Sequence, residues 1–473
     1  MRVNRAKRLP HCPVFVPVLW ILFAGLQWTG TSMAVWETGC VRTPLPAPSG
    51  TVVTVVDVGE LWDAVGQANS TGHLTILLAD GIYELDDMIG IWGDHVAFRG
   101  RSGDRDAVIL HGQGMTGSVS HIFNVAGSHF TVADMTIGWV ANHAVQLQCG
   151  DPDSPLIHNV RFVDTGEQML KVPWCADGSC ADNGVVEWCL FEYTAGIGPQ
   201  YYIGGVDIHQ AGGWIIRHCV FKHIRSPESA LAEHAVHIWN GAGGSQVVGN
   251  MITDCDRGIG FGLGSQGHTG GAIHNNMVHT TRDVGIGLES APDATVYHNT
   301  LYTENYFNSV EYRFGATTGV DIANNLCNAA IAGRDGGTAT VRSNRQDAVP
   351  AWFRDAPAGD LHLAYPVTEV VDQAIFLAGL TTDLDCQSRP AGAAADLGAD
   401  EFGAYARPGD LDADGALTAV DLEILHHYLQ AHLPPNVPPF LAPLSAADVD
   451  GDGGTNSADL DALAAVLAGN PPV

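Results

Sequence analysis

Basic residues are scarce in this chain. Its 473 residues include 22 Lys and Arg against 52 Asp and Glu, a formal charge of −30 at pH 7, and only three lysines occur: Lys7, Lys171 and Lys222. The electrostatic field of such a negatively charged protein disfavours binding to nucleic acid or to an anionic membrane surface. It also repels an acidic polysaccharide unless local bases or a bound cation offset it.

Long apolar runs are also lacking. Beyond residue 34, no segment has the roughly eighteen uninterrupted apolar residues that indicate a membrane helix. The N-terminus carries Arg2, Arg5, Lys7 and Arg8, then an apolar run over residues 14–24 and a small-residue stretch ending at residue 34. This layout predicts a signal peptide over residues 1–34, with a signal anchor as the alternative. We therefore expect a secreted protein, extracellular or at the cell surface, with a linker over residues 35–49.

Ten cysteines are present, but neither CxxC nor a Cys/His spacing typical of zinc sites occurs. In an exported protein, cysteines can form disulfides. Cys175 and Cys180 bracket a short loop and are a candidate pair. Cys40 with Cys386 is a second candidate.

Two acidic loops of twelve residues lie near the C-terminus, DLDADGALTAVD at 410–421 and DVDGDGGTNSAD at 448–459. Each has carboxylates at loop positions 1, 3, 5 and 12 and glycine at position 6, an arrangement that gathers oxygens around Ca²⁺. An apolar helical pattern follows each loop. The predicted ligands of two Ca²⁺ ions are Asp410, Asp412, Asp414, Ala416, Thr418 and Asp421, and Asp448, Asp450, Asp452, Gly454, Asn456 and Asp459.

This duplicated loop and helix, with Asp rather than Glu at position 12, resembles a dockerin module over residues 405–473. The resemblance implies a small α-helical domain that tethers a carbohydrate-related protein to a cohesin-type partner. Two features depart from the usual pattern. Loop positions 10 and 11 hold Ala419–Val420 and Ser457–Ala458 rather than a Ser–Thr type pair, and no Lys or Arg follows Arg407. The identity of the partner therefore stays open.

From Phe130 onward an apolar phrase, often with a central Asn, recurs at intervals of about 20 to 32 residues, as in LIHNVRF, QVVGNMI, AIHNNMV and TVYHNTL. We assign residues 50–404 to the domain that contains this repeat. Self-similarity at a fixed period indicates a solenoid, and period-two pieces without intervening helices indicate coils of short strands. We predict an all-β, right-handed parallel β-helix, capped by a helix near Glu60 and closed by the segment Gly359–Glu401. The asparagines predicted to stack at its turns, in a ladder interrupted at Trp188 and His218, are Asn159, Asn250, Asn276, Asn299 and Asn325.

These residues resemble the right-handed β-helix proteins of the pectate-lyase-like superfamily, over roughly residues 50–400. The motifs of polygalacturonases (NTD, GHG, RIK) and of pectate lyases (WIDH, RxPxxR) are absent from the sequence. The resemblance therefore implies the fold and not the chemistry.

Aligning one phrase from each coil (AVQLQ, MLKVP, GVDIH, AVHIW, GIGFG, GIGLE, SVEYR) separates inward from outward residues, because successive strand residues face opposite ways. The inward column is predicted to be Val145, Leu170, Val206, Val236, Ile259, Ile286 and Val310. The two outward columns are Gln146, Lys171, Asp207, His237, Gly260, Gly287 and Glu311, and Gln148, Pro173, His209, Trp239, Gly262, Glu289 and Arg313.

The outward columns supply the candidate site. Its predicted catalytic residues are Lys171, Asp207, His237, Glu289 and Glu311, and its predicted substrate-binding residues are His209, Trp239 and Arg313, with a glycine trough at Gly260, Gly262 and Gly287.

Two mechanisms fit these residues. A lyase would use Lys171 or His237 as the base on a uronic-acid polymer, with Asp207 tuning the base or holding a further Ca²⁺. A glycoside hydrolase would use Glu289 and Glu311 as a carboxylate pair. A non-catalytic glycan-binding or scaffold protein is the third hypothesis, in which Lys171–Asp207 is only a surface ion pair. We expect a monomer.

Overall fold

The computed structural model describes residues 40, 42–402, 409, 411, 417–430, 447, 449 and 455–468. The predicted signal peptide lies outside the described residues. So do eight of the twelve predicted calcium ligands, namely Asp410, Asp412, Asp414, Ala416, Asp448, Asp450, Asp452 and Gly454. In the part of the chain that the structure describes, no helix combines the length and apolar character needed to cross a bilayer.

The chain from Thr51 to Arg342 winds into a parallel β-solenoid, which confirms the predicted fold. Each coil contributes a strand to a first face, then to a second face, then to a third. Two long strands, Thr131–Val140 and Leu156–Thr165, bend across the first two faces, so the hydrogen bonding of these faces is continuous. The third face is a separate sheet of ten strands.

The strand bounds follow this order. Besides the two long strands, the first face consists of Thr51–Val55, Leu74–Leu78, Val96–Gly100, Val185–Glu187, Ile215–Arg217, Gln246–Val248, Ala272–His274, Thr295–Tyr297, Val320–Ala323 and Ala339–Arg342. The second face adds Gly81–Glu84, Val108–His111, Leu190–Glu192, Val220–Lys222, Met251–Cys255, Met277–Thr280, Thr300–Thr303 and Leu326–Cys327. The third consists of Ile89–Ile91, Phe123–Val125, Val145–Leu147, Leu170–Val172, Val206–His209, Val236–Trp239, Ile259–Phe261, Ile286–Glu289, Asn308–Arg313 and Ala330–Arg334.

The interior of the solenoid is the predicted aliphatic column. Its seven members pair in register from Val145 to Val310. Each has 0 % of its surface exposed. Burying one such side chain contributes about 1.5–3 kcal/mol relative to leaving it exposed. The column therefore fixes which alternate residues of the third face point outward.

An asparagine ladder lines the turn between the first and second faces. Asn276 Oδ1 accepts a hydrogen bond from the backbone N–H of Asn250 at 3.0 Å, and its Nδ2 donates to Val247 O at 2.8 Å. The same pattern repeats through Asn299 and Asn325. It extends to Asn344, which the sequence pattern had not included.

The predicted start of this ladder is wrong. Strand pairing places Asn159, Trp188 and His218 together, one residue before the ladder position. All three have left-handed backbones, with φ of 52°, 59° and 51°. The Trp188 and His218 rings stack there, 4.4 Å apart. They belong to a neighbouring column and do not interrupt the ladder.

A helix at Val58–Thr71 packs against the first strands and matches the predicted cap. The Asp57 side chain accepts from Glu60 N at 2.9 Å and begins the helix. The residues that it buries are Leu61, Ala64, Val65 and Ala68. Burial of this one face explains why a single amphipathic helix covers the open coil.

The segment after the solenoid lies along its second face, so the prediction that it closes the end of the coil is wrong. It contains short 3₁₀ helices at Pro350–Trp352 and Ala356–Ala358. It also contains two antiparallel strands, Phe353–Asp355 and Asp360–Leu363, in which Phe353 lies opposite Leu363. Its apolar side chains share a core with outward residues of the second face, Leu190, Val220, Met251, Met277 and Leu326. The apolar outer surface of that face is what the segment covers.

Two disulfides are present among the described residues. The Cys40–Cys386 pair is confirmed. The Cys175–Cys180 prediction is wrong, because Cys175 pairs with Cys149 and Cys180 is a free thiol. Cys149 and Cys175 each follow a strand of the third face on adjacent coils, which brings their Cα atoms to 5.7 Å.

Two helices near the C-terminus, Ala419–Leu429 and Ser457–Leu467, follow the two acidic loops as predicted. They share a small core that includes Leu411, Ile424, Leu425 and Leu463. Thr418 and Asn456, at loop position 9, cap these helices by accepting from the backbone N–H two residues on.

Candidate functional site

The two outward columns of the third face have the predicted register. Lys171 pairs with Asp207 and Asp207 with His237, and His209 pairs with Trp239. His237 then pairs with Gly260, Gly260 with Gly287, and Gly287 with Glu311. The pattern of alternation alone therefore brought five of the predicted site residues together: Lys171, Asp207, His209, His237 and Trp239.

The exposure of this cluster differs from the prediction. Lys171, Asp207 and His237 are only 7, 3 and 1 % exposed, so the hypothesis of a surface ion pair is wrong. The loops that link the second face to the third in these two coils, residues 193–205 and 223–235, contribute neighbours of the cluster, among them Tyr202 and Glu233. Such irregular loops carry no periodic signal, which is why the alignment of strand phrases missed their contribution.

Asp207 is the centre of the cluster. Its Oδ2 is paired with the Lys171 ammonium, and its Oδ1 accepts from Trp239 Nε1 at 2.8 Å. Burial would raise the pKa of this carboxyl, but the hydrogen bond with His209 and the charge of Lys171 prevail and hold its pKa well below the usual range. Asp207 is therefore an anion at neutral pH. It can orient the lysine but cannot act as an acid.

Lys171 has two further neighbours. Its Nζ lies 3.0 Å from His209 Nε2, and the other nitrogen of that ring lies 3.2 Å from Asn240 Nδ2. The ring of Tyr202, which is 40 % exposed, lies 5.9 Å from Nζ. The amine thus sits between a buried anion and an exposed aromatic side chain.

Trp239, predicted to bind substrate, is half-buried and packs against the cluster. Its ring stacks against His237 at a centroid distance of 5.0 Å and meets His209 at 4.3 Å, while its N–H is bonded to Asp207. More open aromatic surface comes from Tyr201 and Trp174, which are 47 and 55 % exposed. Neither falls in an outward column, so the alignment could not find them.

The predicted glycine trough is partly filled. A Cβ on Gly260 would approach the imidazole of His234 to 2.9 Å, so that ring occupies the space above the glycine. Gly262 has a φ of 79°, and a Cβ there would overlap the carbonyl of Glu289. The packing of this face therefore requires glycine at both positions.

Glu289, Glu311 and Arg313 form a second group, as predicted, but their carboxylates are committed to other partners. Glu311 is 3 % exposed and accepts from Asn308, Tyr306 and Arg334, and these bonds keep its pKa low against the effect of burial. Glu289 bonds Arg313 at 2.9 Å and Gly264 N at 2.6 Å. Both carboxylates are thus held in ion pairs with arginines.

Glu233 and His234 were missed by the sequence interpretation. Glu233 Oε2 lies 3.4 Å from His237 Nδ1, and the ring centroids of His234 and His237 are 4.7 Å apart. Burial lowers the pKa of His234 well below its usual value. The phrase EHAVHIW contained all three residues, but only His237 fell in an outward strand position.

The two position-12 carboxylates of the acidic loops, Asp421 and Asp459, are fully buried. Asp421 accepts from Leu411 N and Thr418 N at 2.7 and 2.8 Å, and Asp459 accepts from Val449 N and Asn456 N at 2.7 Å each. Each aspartate thereby ties the second residue of its loop to the ninth. Buried carboxylates in loops of this composition fit a bound Ca²⁺.

Residues 408–468 match the family model of the dockerin type I domain. No curated protein matches the chain. Among solved structures, pectate lyase Pel9A is similar with a TM-score of 0.49 and 13 % identity, over 77 % of this chain and 98 % of that chain.

An alginate lyase from Paenibacillus sp. str. FPU-7 is similar with a TM-score of 0.38 and 13 % identity, over 62 % of this chain and 99 % of that chain. A PL6 family polysaccharide lyase from Pseudopedobacter saltans has a TM-score of 0.35 and 13 % identity, over 63 and 94 % of the two chains. The protein is a parallel β-solenoid that carries a C-terminal dockerin type I domain.

Proposed function

We propose that the protein is a secreted polysaccharide lyase that uses Lys171 as the general base to cleave a uronic-acid polymer. We also propose that its calcium-dependent dockerin tethers it to a cohesin-type partner. The observation that carries the proposal is the Lys171 side chain, which lies between the Asp207 anion and His209 and beside the exposed Tyr202. The dockerin supports the extracellular, carbohydrate-related part of the proposal.

In this reaction Lys171, in its amine form, removes the proton on the carbon beside the uronate carboxylate. The electron pair forms a double bond as the glycosidic oxygen on the next carbon leaves, and the leaving oxygen takes up a proton from water. The proton taken by Lys171 can pass to His209, because Nζ and Nε2 are 3.0 Å apart. General bases of this kind contribute about 10²–10⁴-fold to rate.

Two features favour Lys171 over the other predicted base. His237 is 1 % exposed against 7 % for Lys171, and its Nε2 lies 3.3 Å from Gly262 O, so His237 is the less accessible of the two bases. The hydrolase hypothesis loses support because Glu289 and Glu311 are held in ion pairs.

Lys171→Arg tests the proposal. Arginine keeps the positive charge beside Asp207 but cannot give up its proton near neutral pH. On a panel of uronic-acid polymers we expect the wild type to produce the ultraviolet absorbance of an unsaturated product, and Lys171→Arg to lose about 10²-fold or more of that rate. Circular dichroism and thermal unfolding establish that the variant is folded.

Lys222→Arg is the matched control, since it makes the same change on the second face, and it should retain full activity. Equal activity of wild type and Lys171→Arg would refute the assignment of the base. Reducing ends without the ultraviolet signal would indicate hydrolysis instead. Binding without either product would favour the non-catalytic hypothesis.

A further inference from the structure

Three donor atoms of the third-face cluster converge without hydrogen-bond partners. Glu233 Oε2 and the Nδ1 atoms of His234 and His237 are all buried and all unpartnered among the described residues. One ligand atom from each of the three side chains lies within 4.8 Å of the others. Buried polar atoms are nearly always hydrogen-bonded, so three orphaned ones at one point require an explanation.

The orientation of His237 is informative. Its Nε2 faces the carbonyl of Gly262, which can only accept, so the ring proton is on Nε2 and Nδ1 carries a lone pair. This lone pair faces two carboxylate oxygens, Glu233 Oε2 at 3.4 Å and Asp207 Oδ1 at 3.8 Å. A lone pair and two anionic oxygens repel one another unless a cation lies between them.

A protonated His237 is the competing explanation, and the distances argue against it. In the His158–Glu187 and His223–Asp254 pairs the atoms are 2.8 Å apart, and in the wider His143–Glu167 pair they are 3.3 Å apart. The 3.4 Å between Glu233 and His237 is close to the separation of two ligands on a tetrahedral ion with bonds of about 2.1 Å. The spacing is that of ligands around a common atom.

The surrounding structure holds this arrangement in place. Asp256 Oδ2 accepts from Ser226 N and Ala232 N and fixes the loop that precedes Glu233. The nearby Arg257 guanidinium lies 3.5 Å from Asp283, which offsets its charge. The three donors are therefore positioned before any ligand binds.

We propose that Glu233, His234 and His237 form a binding site for a divalent transition-metal ion of the Zn²⁺ class. Two imidazoles and one carboxylate suit Zn²⁺, Co²⁺ or Ni²⁺, whereas Ca²⁺ takes oxygen ligands. The site is thus separate from the calcium sites of the dockerin and differs in metal from the further Ca²⁺ considered on this face.

Two other clusters of ligand-type side chains lack this signature. Cys40 and Cys386, beside His218, are joined in a disulfide. His362 directs its two ring nitrogens at Asp360 and Asp385, at 2.5 and 3.0 Å, so neither nitrogen has a lone pair for a metal. Among the clusters in the described residues, the Glu233 cluster has three unpartnered nitrogen or oxygen atoms, whereas the disulfide cluster has one, His218 Nδ1.

The test is Co²⁺ binding to the full-length, untagged protein saturated with Ca²⁺. We expect one Co²⁺ per chain with the visible absorption of a low-coordinate site, displaced by Zn²⁺ and not by more Ca²⁺. Glu233→Gln and His234→Ala should weaken binding by more than the roughly 10–100-fold that loss of an outer-shell partner costs. Glu233→Gln is isosteric and keeps the fold, so it remains informative if His234→Ala unfolds.

His268→Ala is the control, because His268 is also buried with both ring nitrogens unpartnered but stacks on Phe261 outside the cluster. It should bind Co²⁺ like the wild type. Absence of bound Co²⁺, or equal binding by Glu233→Gln, would overturn the site and favour a plain imidazolium–carboxylate pair. The measurement uses no substrate, so Co²⁺ binding without lyase activity refutes the proposed function alone, and activity without Co²⁺ binding refutes the metal site alone.

Discussion

Replacing Lys171 by methionine should destabilise the protein well beyond the loss of a surface ion pair. The change leaves the Asp207 carboxylate 3 % exposed, with the Trp239 N–H and the His209 ring as its remaining partners but no full positive charge beside it. An exposed pair contributes about 0–1 kcal/mol, whereas removing one partner of a buried pair costs about 3–5 kcal/mol. We expect the free energy of unfolding at pH 7 to fall by an amount in the second range.

The effect should depend on pH in a defined direction. In the wild type the pKa of Asp207 is lowered in the folded state, so its contribution to stability is fully present above the unfolded-state pKa of about 3.9. That contribution is lost as pH falls through the depressed folded pKa. Lys171→Met removes one of the causes that lower the pKa of Asp207, so the pKa of this carboxyl is higher in the folded variant than in the folded wild type. The deficit of Lys171→Met should therefore be largest at neutral pH and shrink as pH falls through the higher pKa of the variant.

Urea unfolding at pH 7 and at lower pH measures this difference. Solenoids can lose cooperativity between distant coils, so hydrogen exchange of the strands Leu170–Val172 and Val206–His209 provides a local measure of the same free energy. Adding Asp207→Asn to Lys171→Met should recover most of the loss, because no uncompensated charge is then buried. Lys222→Met is the control on the second face.

A loss below about 1 kcal/mol for Lys171→Met would refute the reasoning, since it would mean that the pair is screened by water like a surface pair. An equal loss for Lys222→Met would refute it as well. A double variant that is less stable than Lys171→Met would show that Asp207 contributes through packing rather than through its charge.

Three further predictions concern other parts of the molecule. Asn276→Ala should lower the melting temperature, because it leaves Val247 O and Asn250 N without their hydrogen-bond partner in the ladder. Each unsatisfied group should cost about 1–3 kcal/mol of folding free energy. An unchanged melting temperature would contradict a structural role for the ladder. Chelation of Ca²⁺ should accelerate proteolysis within residues 407–473, because the carboxylates of each acidic loop repel one another once the cation is removed. Equal cleavage with and without chelator would refute calcium binding there. Mass spectrometry of unreduced peptides should find Cys149 linked to Cys175 also in Cys180→Ser, and a Cys175–Cys180 link in the wild type would contradict the structure.

Part of the candidate site was predictable because strand alternation is a local property of the sequence. Once Val206 and Val236 are assigned inward, Asp207 and His237 must share the outward side, and stacking of coils makes them neighbours. The same local rule misplaced Asn159, because the turn between the first two faces uses a left-handed residue immediately before the ladder position. The sequence phrase allows Asn both at the left-handed turn position and at the ladder position that follows it. The alignment therefore could not detect a shift of one residue between them.

The sequence by itself determined the repeat, the inward column, the outward neighbours of Lys171 and the dockerin loops, because each follows from residues at fixed local spacing. The tertiary structure alone decided that the cluster is buried, that His234 fills the space over Gly260, and that Cys149 rather than Cys180 meets Cys175. These outcomes depend on how irregular loops and successive coils pack. No periodic pattern encodes that packing, because it arises from contacts between residues far apart in the chain.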